Sequence, residues 1–167
     1  EDALATDIPV FIEKPLATTV EDCRKIIAWD EKRSALTWMG LEYRFMPPVN
    51  EVIQRTKNGD VGKVHQVSIR EHREPFYQKV DNWNRFSERT GGTLVEKCCH
   101  YFNLMDLIIG SQPIKVYATG AQSVNHLGEV YDGRKSNILD NAFVVLDYAN
   151  GERAMLDLCM YAEGSYD

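Results

Sequence analysis

The sequence predicts an α+β fold: an open, mostly antiparallel sheet packed on helices, preceded by one strand–helix–strand unit of a parallel sheet. Three observations carry this expectation. A strand apolar on both faces leads into a capped helix and a second, aromatic-rich strand; the hydrophobic period becomes alternating after Gly62; and Asn150-Gly151 joins two alternating segments. The first pattern suits a strand covered on both sides, and the others suit strands with one wet face.

The elements follow in order. Residues 8–12, bounded by Pro9 and Pro15, carry Val10, Phe11 and Ile12 and predict a short buried strand. Thr18 and Glu21 have the capping-box spacing, and Val20, Cys23, Ile26 and Ile27 then recur at helical intervals to about Asp30. A second strand is predicted over 36–44, rich in Thr37, Trp38 and Tyr43. Pro47-Pro48 opens a helix whose Val49, Val52 and Ile53 share a face, with Gly59 as its stop. Val67 and Ile69 then alternate with polar residues over 63–72, predicting a half-exposed strand of an antiparallel sheet. Residues 73–90 show little periodicity and predict a long loop.

Gly91-Gly92 leads into the strongest helix, predicted over 93–109, with Leu94, Cys98, Phe102, Met105 and Ile109 on one stripe and Gly110 as terminator. A strand over 114–118, a polar excursion over 122–137, and alternating strands over 142–148 and 153–161 complete the pattern. Residues 1–45 thus form one unit, and 46–167 form a second.

Composition narrows the function classes. With 44% apolar and 26% charged residues the chain of 167 residues has globular values. A net charge of -6, with scattered Lys and Arg, argues against a nucleic-acid partner. The longest apolar run, over 104–109, is interrupted by Asp106 and is too short for a membrane span, and Glu1-Asp2-Ala3 lacks the features of a signal peptide. A cytoplasmic protein without membrane partners is expected. Cys23, Cys98, Cys99 and Cys159 make no C-x-x-C spacing, so reduced thiols are expected rather than a disulfide framework or zinc site. Glu96, His100 and His126 lack a third ligand at convincing spacing, so no metal is assigned.

Four motifs, in this order, resemble the glucose-fructose oxidoreductase, inositol dehydrogenase and MocA family. They are Val10-Phe11-Ile12-Glu13-Lys14-Pro15-Leu16-Ala17; Tyr43-Arg44-Phe45 followed by a proline; Gly59-Asp60-Val61-Gly62-Lys63-Val64; and Gly91-Gly92-Thr93-Leu94 with His100 eight residues after Gly92. The resemblance implies an N-terminal Rossmann domain carrying NAD or NADP, of which residues 1–45 are the last strand–helix–strand, and a C-terminal α/β substrate and oligomerisation domain over 46–167. It implies that His100 is the catalytic histidine, that Glu96 stands where the family usually has an aspartate, and that Lys14 contacts substrate hydroxyl and cofactor. Glu13, Lys14 and Pro15 fall on the cofactor side, and Arg44 joins Lys14, Glu96 and His100 on the substrate side.

The residue chemistry agrees with that assignment. Oxidising a secondary alcohol by hydride transfer needs a group to take the hydroxyl proton, and histidine titrates near neutrality. Glu96 and His100, four residues apart on a predicted helix, share a face, so the carboxylate is placed to orient the imidazole. The same spacing also describes a solvated helix face. Trp83, with Asn84 and Arg85, is a candidate lining of a sugar pocket or a plug against the sheet.

Two function classes remain: an oxidoreductase acting on a sugar, inositol or similar polyol, of which this chain is a truncated part, and a stand-alone ligand-binding or assembly domain without redox activity. No glycine-rich phosphate loop occurs ahead of Lys14, so the isolated chain is expected neither to bind NAD or NADP tightly nor to catalyse. Strands near Val10 and Trp38 without parallel neighbours predict a homo-oligomer, formed through the open sheet or by exchange of the first segment.

Overall fold

A computed structural model describes residues 2–162 of the chain. After a 3-10 turn at Asp2–Ala5, β1 (Val10–Glu13) and β2 (Thr37–Gly40) pair in parallel around α1 (Val20–Asp30). The second strand is shorter than the period suggests, because the chain turns after Gly40 into a 3-10 turn at Glu42–Phe45. α1 is capped one residue later than expected: the Thr19 hydroxyl accepts the Asp22 N–H at 3.1 Å. α2 (Pro47–Lys57) starts on its proline pair and ends at Asn58 and Gly59, and only Ile53 of its apolar face is buried.

β3 (Gln66–His72), β4 (Pro113–Ala121), β7 (Asn141–Tyr148) and β8 (Arg153–Cys159) form one sheet in the order β3-β8-β7-β4. β7 pairs antiparallel with β4 and β8, whereas β3 pairs parallel with β8, from Gln66 opposite Arg153 to His72 opposite Cys159. The expectation of an antiparallel setting for β3 is therefore corrected. Alternation shows which side chains turn inward but not which way the next strand runs, and β8 reaches β3 only after the rest of the domain has been laid down. The Asn150-Gly151 turn joins β7 to β8, with Gly151 at φ +87° and its N–H donating to the Tyr148 carbonyl at 3.0 Å.

The predicted loop over 73–90 contains a 3-10 segment, Val80–Arg85, and one helical turn, α3 (Ser87–Thr90). The helix expected over 93–109 is interrupted. α4 (Thr93–Glu96) ends before Lys97, and α5 (Cys99–Ile109) resumes after Cys98, a two-residue break that leaves the apolar stripe in phase and so leaves no mark on the period. Cys98, Met105 and Ile109 of that stripe are buried against Val144, Leu146, Leu156 and Leu158 of the sheet, with Leu94 and Phe102 packed at the margin. The polar excursion holds a small hairpin, β5 (Val130–Tyr131) and β6 (Arg134–Lys135).

The Tyr148 hydroxyl donates to Asp106 Oδ1 at 2.8 Å, tying α5 to β7. Helices cover one face of the sheet, while edge strand β4 is exposed along its whole length. The four cysteines are free thiols, and burial pushes the Cys98 thiol up to about 12. Among the described residues, no helix is long and apolar enough to cross a membrane.

Candidate functional site

Lys14 follows the C-terminal end of β1, the end at which open α/β sheets place ligands. Its peptide bond to Pro15 is cis. The Lys14 ammonium reaches across 82 residues of sequence to donate to the Glu96 backbone carbonyl at 2.8 Å and to Glu96 Oε1 at 3.1 Å. Gly91 makes this approach possible. At φ +78° it takes a backbone conformation that favours glycine, and a Cβ there would lie 2.7 Å from Val95 Cγ1 and 3.1 Å from the Thr18 carbonyl. The absence of a side chain lets α4 sit directly against the β1–α1 connection.

His100 lies in the first turn of α5 and is 2% exposed. Its ring stacks on Tyr43 with centroids 4.0 Å apart and planes at 10°, and its Nε2 faces Glu42 Oε1 at 3.6 Å. Burial pushes the imidazole below its ordinary value; Glu42 and Glu96 act against this, and the Lys14 and Lys97 charges act with it. The result favours a neutral ring. Tyr43 is held in turn by Lys97, whose ammonium donates to the phenol oxygen at 2.9 Å and pairs with Glu71 Oε1 at 3.0 Å. Burial works against the Lys97 charge, but the bond to Tyr43 and the Glu71 carboxylate outweigh it and hold its pKa above the ordinary value.

The structure thus brings Lys14, Glu96 and His100 together, with a pairing that differs from the one drawn from helical spacing. Glu96 binds Lys14 instead of orienting the imidazole, because the helix breaks between Glu96 and His100 and turns His100 toward Glu42 and Tyr43. Arg44, on the 3-10 turn after β2, donates from Nε and Nη2 at 3.0 and 2.7 Å to Oδ1 of Asn103, which follows His100 on α5. Glu13 turns back to accept the Lys14 N–H at 3.1 Å, and Pro15 follows Lys14 at the strand end. Trp83 is not brought in: it is 38% exposed in the Val80–Arg85 segment, and among the described residues no ring contact joins it to the cluster.

Sequence reasoning missed Glu42, Lys97 and Glu71, and the role of Tyr43. The available signal was Lys97 itself, a lone cation beside an apolar helical stripe.

Two enclosed atoms, Glu96 Oε2 and His100 Nδ1, have no hydrogen-bond partner. Unmet donors and acceptors beside a lysine suit a ligand bearing hydroxyl, carbonyl or amide groups. The set therefore fits the reactive end of a nicotinamide with an alcohol. It does not fit a pyrophosphate, since the β1–α1 connection, residues 14–19, contains no glycine to admit one.

Residues 53–167 match the pattern described as "Oxidoreductase family, C-terminal alpha/beta domain". Among curated proteins, the chain is 28% identical over 159 residues to the uncharacterized oxidoreductase YrbE of Bacillus subtilis, covering 95% of this chain and 43% of that protein. It is 27% identical over 159 residues to myo-inositol 2-dehydrogenase of Thermotoga maritima, covering 95% and 44% respectively. A probable dehydrogenase from Thermotoga maritima, solved by crystallography, superposes with a TM-score of 0.77 at 26% identity over 94% of this chain and 44% of its own. The chain spans less than half the length of these relatives.

Proposed function

The chain belongs to the glucose-fructose oxidoreductase, inositol dehydrogenase and MocA family of oxidoreductases through its C-terminal alpha/beta domain, and from that premise we propose that it is the substrate-side portion of an NAD(P)-dependent dehydrogenase acting on a sugar, inositol or similar polyol. The observation that carries this reading is the convergence of Lys14 from the end of β1 on Glu96, beside the buried His100. In it, Lys14 donates to the reacting hydroxyl and is held in place by Glu96. His100 takes the hydroxyl proton at Nε2, and Glu42, 3.6 Å away and exposed, stabilises the imidazolium and passes the proton to solvent. A bound nicotinamide supplies the acceptor for the hydride that leaves the carbinol carbon. Exclusion of water around the 2% exposed His100 keeps the base neutral until substrate binds.

The isolated 167 residues are proposed to lack this activity, since they offer no cradle for the dinucleotide phosphates. The test is the full-length protein assayed against cyclic polyols and sugars with NAD and NADP. His100→Ala is expected to lower kcat by about 10²- to 10⁴-fold while leaving nicotinamide affinity unchanged. Unchanged turnover would remove His100 from the chemistry.

Self-association is part of the same proposal. β4 exposes Ile114, Val116 and Tyr117, β7 adds Phe143, and the β1–β2 pair leaves Phe11 and Trp38 exposed, so either an open sheet face or exchange of the first segment offers a route to a homo-oligomer. Sedimentation of the full-length protein should give a dimer or larger species; a monomer at micromolar concentration would contradict it.

A further inference from the structure

Tyr43 lies against one face of the His100 ring, with centroids 4.0 Å apart, and the Tyr43 hydroxyl is bound at 2.9 Å by an ammonium that is itself paired at 3.0 Å with Glu71. These groups come from three separate elements: the 3-10 turn after β2, the break between α4 and α5, and β3. We propose that Tyr43, anchored by Lys97 and Glu71, is a positioning residue that fixes the orientation of His100 for proton transfer. The proposal rests on His100 being the base.

Three observations support it. First, the Lys97 and Glu71 side chains are 9% and 14% exposed, and an ion pair so enclosed roughly breaks even in stability against apolar side chains, so its geometry matters more than its energy. Second, a cavity of about 450 Å³ lies beside Tyr43, with Met46, Ile69 and Tyr101 on its wall. The ring is therefore not clamped by packing on every side, and the hydroxyl bond holds its outer end in addition to its contacts with His100 and Tyr101. Third, the break at Lys97 and Cys98 falls where the Lys97 side chain reaches Tyr43 and Glu71 while Cys98 stays in the core stripe.

The charged and titratable groups facing His100 are Glu42 and Tyr43 on the 3-10 turn, Lys14 at the end of β1, and Glu96 and Lys97 at the end of α4. Lys97 is among the groups that favour the neutral ring, so anchoring the tyrosine and keeping the imidazole able to accept a proton use the same cation.

The experiment uses the full-length protein with its nicotinamide. Tyr43→Phe keeps the ring and removes the Lys97 bond; Tyr43→Leu removes both; Lys97→Arg keeps a cation. In Tyr43→Phe, kcat should fall about tenfold with KM changed less than about twofold, in Tyr43→Leu the loss should approach a hundredfold, and Lys97→Arg should stay close to wild type. The His100 titration midpoint, read by histidine-ring NMR and assigned with His100→Asn, should move up in Lys97→Met.

If Tyr43→Phe and Lys97→Met both leave kcat and the His100 midpoint at wild-type values, the proposal is overturned. These two variants decide the matter even if Tyr43→Leu fails to fold. Wild-type kcat in Tyr43→Phe with an impaired His100→Ala would overturn the positioning role and leave the base standing, whereas normal turnover in His100→Ala would overturn the assignment of the base on which that role rests.

Discussion

The Lys14 ammonium binds Glu96 twice, at the backbone carbonyl (2.8 Å) and at Oε1 (3.1 Å), and so fastens the end of β1 to the end of α4. Both side chains are less than one-fifth exposed. Removing one partner strands the other, and a half-buried carboxylate without its donor costs about 1–3 kcal/mol. Lys14→Met is therefore expected to lower the urea midpoint as well as turnover, and Glu96→Gln, which keeps an acceptor for Lys14, should lower the midpoint less. Equal midpoints for wild type and Lys14→Met would show that the contact does not hold the two segments together.

The pH dependence follows from His100. Burial lowers its folded pKa below the ordinary imidazole value of about 6.5. A neutral base is needed, so kcat/KM should be full above that folded value and fall as pH drops through it, placing the acid limb below about 6.5. The same group contributes stability above its unfolded pKa that is lost as pH falls through its folded one. An acid limb above the ordinary imidazole value in the pH–rate profile would contradict the enclosed, neutral base.

Much of this arrangement was legible in the sequence, for identifiable reasons. The alternation of β7 and β8, the proline start of α2 and the stripe of α5 are local patterns, and local patterns survive folding. The proximity of Lys14, Glu96 and His100 was suggested by motif order. The partnership of Glu96 with Lys14 was not, because it joins segments 82 residues apart and depends on a two-residue helix break that leaves the hydrophobic phase intact. The parallel pairing of β3 with β8 was hidden for a related reason: strand direction is set by the path of the connections, and the side chains do not record it.

Asp140 anchors the segment before the small hairpin. Its 2% exposed carboxylate accepts the backbone N–H groups of Ser123 at 2.9 Å and of Val124 and Asn125 at 2.7 Å each. Burial alone would raise its pKa, but these bonds and the Asn141 amide outweigh it and hold the value below the usual carboxylate range. Its contribution is therefore present above the unfolded value of about 3.9 and lost as pH falls through the folded one. Asp140→Ala leaves the buried Asn125 N–H and two part-buried N–H groups without their acceptor and should cost about 1–3 kcal/mol in denaturant unfolding, with little change in turnover. A loss under about 0.5 kcal/mol would mean the carboxylate is not the anchor.

The isolated 167-residue chain should show no saturable NADH or NADPH binding in a fluorescence titration at micromolar concentrations. No glycine-rich turn occurs ahead of Lys14, and the connection over 14–19 holds six residues with side chains, so the chain offers no cradle for the dinucleotide phosphates. Saturable micromolar binding would reveal a cofactor site built from other residues.

The most direct test of the proposed site is a double-mutant cycle in kcat on the full-length protein, using Lys14→Met, His100→Ala and the pair. Residues that act on one proton fail together, so the double variant should lose little more than the worse single variant, each single having lost about 10²-fold or more. Losses that multiply, or a single variant that turns over at the wild-type rate, would show that Lys14 and His100 do not form one catalytic unit.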